Sequence, residues 1–262
     1  MKIIVAGYGP VGQAVRSVLL SAGHQVIVDD PYTKKGQKYI TTPADIQNVD
    51  GVVVCVATPQ QIDGSCETQN VKDVLRKYGR TKFLIKSAVD PVWLSQHHNE
   101  FGGSVTVSPE FLGSSNQFRD PAEEFINQSF AIYGGCDPRW WDELFRRALP
   151  KLTEVKYCTL EQAAFGKYLE NCFLAMRVTF FNEMADIFWS MGFNGYDQMI
   201  DAISVDPRIG RSHSQVPGPD GKCGWGGHCL PKDVNALRHA APVDTPFLDA
   251  MVEVNKTHRD EK

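Results

Sequence analysis

The sequence lacks the features that would place the chain in a membrane or on nucleic acid. No apolar run approaches the roughly 18–20 residues that span a bilayer, and the first residues are too short an apolar stretch for a secretion signal. Basic residues are not in excess, because 27 Lys and Arg stand against 31 Asp and Glu. Nucleic-acid-binding surfaces usually need such an excess. A globular protein with no membrane or nucleic-acid partner is expected.

Cysteine is sparse and shows no pairing pattern. The seven cysteines are an odd number at scattered positions, which is typical of free thiols in a reducing compartment and predicts a cytoplasmic protein. No closed zinc pattern fits the spacing of His213, Cys223, His228, Cys229 and His239. The sequence therefore predicts neither a disulfide framework nor a metal site.

The first half of the chain alternates short β-branched runs with helical stretches. A length of 262 residues allows one large domain or two modest ones. Strands and helices in alternation, joined by short loops, predict a parallel sheet with right-handed crossovers. The predicted strands are residues 2–6, 25–28, 51–56, 82–85 and 104–107, with a sixth at 129–133.

The second half has the pattern of helices. Residues 161–192 carry apolar side chains at helical spacing and contain no proline. This predicts one long helix that ends at Gly192. Shorter helical pieces follow, and the last predicted helix covers residues 245–258.

The change of pattern predicts two domains. The expected fold class is α/β, with an N-terminal Rossmann-type doubly wound sheet in residues 1–155, followed by an α-helical domain in residues 156–262. The long helix is too apolar for so small a helical domain to cover, so a symmetric homodimer built on it is expected.

The segment Gly7-Tyr8-Gly9-Pro10-Val11-Gly12 predicts a dinucleotide site. It follows the first strand and opens a helix, as the G-x-G-x-x-G fingerprint requires. The glycines permit a tight turn and close approach to a pyrophosphate, which the helix N-terminus attracts. Asp30, at the end of the next strand, is the predicted ligand of the ribose hydroxyls, with Asp29 as the alternative. A carboxylate there favours NAD over NADP, because a 2′-phosphate would meet a like charge.

A second informative segment surrounds Cys229. Three glycines precede this cysteine closely, and Lys232 and Asp233 follow it. Pro231 suits the first turn of a helix, so the thiol would lie near a helix N-terminus, where its pKa falls. Two interpretations stay open on this pattern: an activated nucleophile, or a buried cysteine beside a flexible loop.

Taken together, the motifs resemble the UDP-glucose/GDP-mannose dehydrogenases over nearly the whole length. No single motif is specific, but their number and order are. They are Gly7 to Gly12, Ala57-Thr58-Pro59-Gln60, Asp63-Gly64, Lys86-Ser87-Ala88-Val89, Ser108-Pro109-Glu110-Phe111-Leu112, Lys167-x-x-x-Asn171, Asn182-Glu183, Asp206-x-Arg208-Ile209-Gly210 and Gly226 to Asp233.

The resemblance implies oxidation of a sugar C6 alcohol to a carboxylate with two NAD, in the service of polysaccharide biosynthesis. Cys229 would be the nucleophile, forming a thiohemiacetal and then a thioester that water hydrolyses. Lys167 and Asn171, one helical turn apart, would hold the C6 oxygen. Asp233 and Glu110 would orient the hydrolytic water.

The resemblance also implies binding residues. Arg208 would reach the nucleotide-sugar bound by a neighbouring subunit, in agreement with a dimer. The residues assigned to the cofactor are Gly7, Gly9, Pro10, Val11, Gly12, Asp30, Lys35, Thr58 and Lys232, and those assigned to the substrate are Phe111, Leu112 and Arg208.

Three departures from the family pattern leave alternatives open. Ala88 replaces a usual Thr, and Ser114 replaces a second Glu. Two side chains that belong to the family's network of water and base are therefore missing. The sequence ends at Lys262, where full-length members continue into a further nucleotide-binding domain, so a short form is expected. The alternatives are a two-electron β-hydroxyacid-type dehydrogenase with Lys167 as acid and base, and a non-catalytic NAD(H)-binding protein.

Overall fold

A computed structural model describes residues 1–31, 42, 46–112 and 120–260. The chain divides into two compact units. The first consists of Met1–Pro59 and Cys66–Lys167, and the second of Gln60–Ser65 and the chain from Tyr168 onward. This division falls within the long helix, whereas the boundary predicted from sequence follows residue 155.

The first unit is built on a seven-stranded sheet in the order β2-β1-β3-β4-β5-β6-β7. Strands β1 to β5 are parallel, with Ala6 of β1 in register with Asp29 of β2 and Val54 of β3. The strands are β1 Lys2–Ala6, β2 Gln25–Asp29, β3 Gly51–Val54, β4 Lys82–Ile85, β5 Ser104–Val107, β6 Phe130–Gly135 and β7 Glu154–Cys158.

The far edge of the sheet differs from the sequence prediction. Strand β6 pairs antiparallel with β5 and parallel with β7. The prediction of a parallel sheet was therefore wrong for β6 and β7, which run opposite to the other five strands. Apolar alternation reveals a strand but carries no information on its direction. Strand β7 was missed, because this edge strand has no fully buried residue and so lacks the apolar run of its neighbours.

Helices cover both faces of this sheet, which confirms the doubly wound Rossmann-type class. One apolar core contains Val15, Val18 and Leu19 of α1 and the buried side chains of α4 and α5. The other contains those of α2 and α3. The helices are α1 Pro10–Ser21, α2 Gln69–Tyr78, α3 Pro91–His97, α4 Pro121–Ile126 and α5 Pro138–Arg146, with a 3-10 turn at His98–Phe101.

The second unit is helical, as predicted. Helix α6, which begins in the first unit, ends close to Gly192, whose φ of +77° suits glycine. Two apolar clusters form its core, one around Trp225 and one around Tyr196. The helices are α6 Leu160–Ser190, α7 Tyr196–Ile203, α8 Cys229–Ala240 and α9 Pro246–Asp260. Over the residues described, none is long and apolar enough to span a membrane.

Candidate active site

The glycine-rich turn joins β1 to α1 and requires glycine at two of its three positions. Gly7 has a φ of +91°, and a Cβ there would lie 2.6 Å from the carbonyl oxygen of Cys55. A Cβ on Gly12 would collide with the carbonyl oxygen of Gly7. Gly9 differs, because a Cβ there would meet nothing within 4 Å. A side chain would therefore clash with the backbone at Gly7 and Gly12 but not at Gly9.

The start of α1 fits the pyrophosphate of a dinucleotide. Pro10 occupies the first turn, and Gly9 caps the helix without a side chain. No acidic residue lies in this first turn, so the backbone N–H groups and the positive end of the helix dipole can receive an anion. The residues present thus fit the cofactor that the fingerprint predicts.

The two carboxylates at the end of β2 have different partners. Asp30 accepts a hydrogen bond from the backbone N–H of Tyr8, within the glycine turn, at 2.6 Å. Asp29 is buried and accepts hydrogen bonds from Lys77 and Tyr78 of α2. Asp30 remains the predicted ribose ligand, and it lies against the turn that would hold the pyrophosphate.

Thr58 contacts Ala88, the residue that stands where the family usually has a Thr. Its buried hydroxyl donates to the carbonyl oxygen of Ala88 at 2.7 Å. The hydroxyl of Ser87 donates to the carbonyl oxygen of Val56 at 2.7 Å. These bonds tie together the segments that follow β3 and β4. The predicted cofactor residue Lys35 and the departure at Ser114 lie outside the described residues.

Glu110 forms a buried ion pair with Lys86 at the carboxyl ends of β4 and β5. The two charged groups are 3.4 Å apart and only 6% and 3% exposed. Lys86 also donates to the hydroxyl of Ser108, and Glu110 accepts the backbone N–H of Phe111. Burial raises the pKa of the Glu110 carboxyl, while Lys86, the Phe111 N–H and the charge of Lys167 lower it.

The first unit also brings Lys167 to this cluster. The Lys167 ammonium lies 4.9 Å from the centre of the Phe111 ring, and the ring packs on Phe130 at 5.0 Å. Leu112 is half-buried against the core on the α1 face of the sheet. The structure therefore unites three residues predicted from distant motifs: Glu110, Phe111 and Lys167.

The second unit unites three further predicted residues. Asn171 and Asp233 are both buried, and the Asn171 amide donates to the Asp233 carboxylate. Lys232 forms an ion pair with the same carboxylate. A buried carboxylate is stable only when such donors satisfy it. Cys172 lies beside it, and burial together with the Asp233 charge raises the pKa of the Cys172 thiol to about 12.

Cys229 is the first residue of α8 and is exposed. The sequence placed it just before this helix, and the interpretation of Cys229 as a buried cysteine was wrong. Pro231 lies within the first turn, as predicted. The thiol therefore sits at the N-terminus of a helix. Arg208, by contrast, is 88% exposed and paired with Asp206 at 2.6 Å.

The loop before Cys229 is held by two buried amides. Asn182 of α6 accepts the backbone N–H of Gly224 at 2.9 Å. Asn255 of α9 accepts the N–H of Trp225 at 2.7 Å and donates to its carbonyl oxygen at 3.0 Å. Two helices thus fix the backbone that leads to the thiol.

Comparison with known proteins finds similar sequences and similar folds. The model of the UDP-glucose/GDP-mannose dehydrogenase family, central domain, matches residues 161–257. The UDP-glucose 6-dehydrogenase of Rickettsia typhi is 30% identical over 229 residues, which cover 81% of this chain and 50% of that protein. A solved UDP-glucose dehydrogenase from Pyrobaculum islandicum has a TM-score of 0.78 at 22% identity, over 97% of this chain and 68% of that chain.

The chain is thus similar to members of the UDP-glucose/GDP-mannose dehydrogenase family, and residues 161–257 match the model of the family's central domain. It spans about half the length of the curated relatives it matches. Its fold is also similar to that of the 3-hydroxyisobutyrate dehydrogenase of Mycobacterium tuberculosis, with a TM-score of 0.68 at 17% identity. That likeness covers 99% of this chain and 95% of that one. It shows the fold alone.

Several residues around this candidate site carried no predicted role. Lys86 and Asn182 lie within family motifs. The sequence therefore pointed to these two residues but not to the groups that they bind. Lys77 and Asn255 had no sequence signal, because their partners are 48 and 30 residues away along the chain. Contacts of that kind become visible only once the helices are packed.

Proposed function

We propose that the chain acts in an NAD-dependent nucleotide-sugar 6-dehydrogenase, which oxidises a sugar C6 alcohol to the carboxylate. The observation that carries this proposal is the exposed thiol of Cys229 at the start of α8, with the buried Asn171–Asp233–Lys232 network in the same unit. A cysteine that only packs in an apolar core needs neither exposure at a helix start nor a buried polar network in the same unit.

The proposed cofactor is NAD, which supplies the hydride acceptor of each oxidation when it is bound. The open side of Gly9 and the first turn of α1, from Pro10 and Val11, would receive the pyrophosphate. Asp30 would accept hydrogen bonds from the ribose hydroxyls. Thr58, Lys35 and Lys232 stay proposed cofactor contacts, and Thr58 lies in the segment that follows β3.

Lys167 and Asn171 are proposed to hold the C6 oxygen. The Lys167 ammonium supplies positive charge where an alkoxide develops. After the first oxidation, the Cys229 thiolate would attack the aldehyde carbon and form a thiohemiacetal. The second oxidation would give a thioester, and hydrolysis would release the acid and restore the thiol.

Glu110 and Asp233 are proposed to act on the hydrolytic water. Atom Oε2 of Glu110 lies 3.4 Å from the Lys86 ammonium but meets no hydrogen-bond geometry with the described residues, so it could still accept from a water molecule. Burial raises the pKa of this carboxyl, and the ion pair with Lys86 opposes that rise. Phe111 and Leu112, which follow Glu110 directly, stay the proposed substrate contacts.

A second copy of the chain is the proposed protein partner. Helix α6 exposes large apolar side chains along its length: Phe165, Leu169, Phe173, Phe180, Ile187 and Trp189. Such a face favours burial against another subunit, and the exposed Arg208 is available to a neighbour's nucleotide-sugar. Light scattering at micromolar concentration should give twice the 29.2 kDa of the chain. A monomer would contradict the dimer and the cross-subunit role of Arg208.

The experiment that tests the function is to count NADH formed per sugar with a panel of UDP- and GDP-sugars. Two NADH per sugar are expected. One per sugar indicates that Ala88 and Ser114 have disabled thioester formation. A burst of two NADH per active site without further turnover, with a mass adduct on Cys229, indicates arrest at hydrolysis.

One observation favours a second candidate. Lys167 lies near Phe111 and Glu110, and a two-electron β-hydroxyacid-type reaction needs only this lysine as acid and base. Under this candidate Cys229 has no covalent role. No oxidation of any nucleotide-sugar or hydroxyacid, with NAD still bound, would instead support a non-catalytic NAD(H)-binding protein. The free cysteines agree with the proposed cytoplasmic location.

A further inference from the structure

A buried lysine lies beside Glu110 in the first unit. Lys86 follows β4, and its ammonium lies 3.4 Å from atom Oε2 of Glu110, with both side chains almost fully buried. The ammonium also donates to the hydroxyl of Ser108 at 3.2 Å. The ring centres of Phe125 and Phe145 lie 5.0 Å and 5.8 Å from it. These contacts restrict the lysine and hold its charge next to the Glu110 carboxylate.

Stability alone does not explain a buried ion pair at this place. Taking two charged groups out of water costs free energy, and an apolar pair of the same volume is often at least as stable. Phe125 and Phe145, which face the Lys86 ammonium, belong to the apolar core on the α1 face of the sheet, where an apolar side chain would also pack. The pair therefore indicates a need for positive charge beside Glu110.

The two oxygens of the Glu110 carboxylate have different surroundings. Atom Oε1 accepts the backbone N–H of Phe111 at 2.9 Å. Atom Oε2 faces Lys86 but meets no hydrogen-bond geometry with the described residues. One oxygen is thus fixed by the backbone, and the other is the oxygen that can accept a hydrogen bond from a water molecule.

The charge of this carboxylate depends on a balance between burial and its neighbours. Burial raises the pKa of the Glu110 carboxyl. Among the influences that lower this pKa, the charge of Lys86 is the largest, the backbone N–H of Phe111 follows, and the charge of Lys167 is the smallest. A carboxyl buried without a charged partner can have a pKa of about 8–9. Lys86 is therefore the side chain that most favours the charged form of Glu110.

Other titratable groups face Glu110 from the elements packed around it. They are Cys55 after β3, Tyr133 of β6 and Lys167 of α6. Burial raises the pKa of the Cys55 thiol to about 12 and raises that of the Tyr133 hydroxyl as well, so both are uncharged near neutral pH. Positive charge at this carboxyl therefore comes from Lys86 and, more weakly, from Lys167.

We propose that Lys86 is a positioning residue that sets the charge of the Glu110 carboxyl, and with it the pH range in which this carboxyl can accept a hydrogen bond from the hydrolytic water. The inference rests on the proposed function, in which Glu110 acts on that water. Lys86 acts through Glu110 and does not itself contact the reacting atoms. Protonation of Glu110 would convert one of its acceptor oxygens into a donor.

The first test measures the ionisation of Glu110 and needs no turnover. Infrared difference spectra of each protein against its own Glu110→Gln form, recorded across the pH range, give the pH at which half of the carboxyl is charged. Lys86→Met should raise this midpoint by about 1–3 pH units, since an adjacent opposite charge lowers a carboxyl pKa by that amount. Lys86→Arg should leave the midpoint close to the wild-type value, because it keeps the charge.

Lys82→Met is the matched control. Lys82 lies at the other end of β4, and its ammonium is 2.9 Å from the carboxylate of Asp137 and 5.6 Å from the centre of the Trp140 ring. Its loss removes the same charge and the same kinds of contact at a different place, so the Glu110 midpoint should stay at the wild-type value. An equal rise in both lysine variants would show a general effect of net charge and would overturn the proposal.

The second test separates control of charge from a merely structural role. The measured quantity is the rate of acid release after the NADH burst, as a function of pH, with UDP-glucose or with the member of the UDP- and GDP-sugar panel that yields NADH. Lys86→Met should shift this profile to higher pH and regain the wild-type rate at alkaline pH. A rate that is lowered at every pH, with the profile in its original position, would indicate a structural role and would overturn the proposal.

The outcomes separate this inference from the proposed function. An unchanged midpoint in Lys86→Met overturns the role of Lys86 and leaves the proposed function standing. A wild type that oxidises no nucleotide-sugar overturns the proposed function, while a raised midpoint still supports the control of Glu110 by Lys86. If Lys86→Met does not fold, Lys86→Gln replaces it, since Gln keeps a donor for Ser108. The wild-type midpoint decides in every case, because a value of about 8–9 would be that of a buried carboxyl without a partner and would contradict the proposal.

Discussion

The two compact units hold their candidate site residues by different means. In the first unit the dinucleotide turn is local, since Gly7, Gly9 and Gly12 lie within six residues and act through backbone shape. In the second unit the Asn171–Asp233 contact spans 62 residues of sequence and the contact of Asn182 with Gly224 spans 42. A local site depends on what the backbone can adopt, whereas a dispersed site depends on how the helices pack.

The largest expected effect tests the chemistry of the dispersed site. Cys229→Ser should lower the second oxidation roughly a hundredfold or more, because a serine hydroxyl is almost never ionised at neutral pH. A slow first oxidation should remain, since it does not need the thiol. NADH counted per sugar should fall from two to at most one.

The control for this variant is Cys136→Ser, because Cys136 is also an exposed free thiol but lies in the first unit. It should keep the wild-type rate and stoichiometry. If Cys229→Ser behaves like the control, the thiol has no covalent role, and the β-hydroxyacid-type candidate should replace the one proposed.

The next effect tests how the dispersed site is held. Asn255→Ala removes the partner of both the N–H and the carbonyl of buried Trp225, at about 1–3 kcal/mol for each orphaned group. Urea unfolding should show the loss of stability, and alkylation of Cys229 should change in rate because its loop loosens. Asn235→Ala is the control, since among the described residues its side chain bonds only to other side chains and neither bond is fully buried: Asn235 donates to Gln60 at 3.4 Å and accepts from Arg238 at 3.1 Å. Equal unfolding curves for the two variants would contradict the scaffold role of Asn255.

The effect of a substitution in the glycine turn should depend on which glycine is replaced. Gly12→Ala forces a Cβ against the carbonyl oxygen of Gly7 and should cost about 1–3 kcal/mol of stability. Gly9→Ala should leave the melting temperature close to that of the wild type, because a Cβ there meets nothing, yet it should weaken NAD binding. Thermal melts and NAD titrations separate the two effects. A Gly9→Ala variant that binds NAD normally would argue against this turn as the pyrophosphate site.

The smallest expected effect concerns the choice of cofactor. The Asp30 carboxylate should make NAD bind at least about tenfold better than NADP, which corresponds to about 1.4 kcal/mol. In Asp30→Asn the two affinities should move closer together. Equal wild-type affinities for the two dinucleotides would refute the assignment of Asp30.

Part of the fold was predictable because it depends on short-range patterns. Five buried strands, α1 with its apolar face, the long helix and its end at Gly192 follow from periodicity and stop signals within a few residues. The direction of β6 and the existence of β7 were not predictable in this way. Strand direction depends on the course of the connection before it, and an edge strand need not be apolar.

The sequence by itself determined the glycine turn, the strand that precedes it and the position of Cys229 near a helix start, because each depends on residues that are neighbours in the chain. Only the tertiary structure decided that Asp29 is held by Lys77 and Tyr78, that Glu110 is paired with Lys86 and that two asparagines hold the loop before the thiol. A buried polar group must find its partner wherever packing brings one within hydrogen-bonding distance. That partner is set by the packing of distant elements, which no local pattern records.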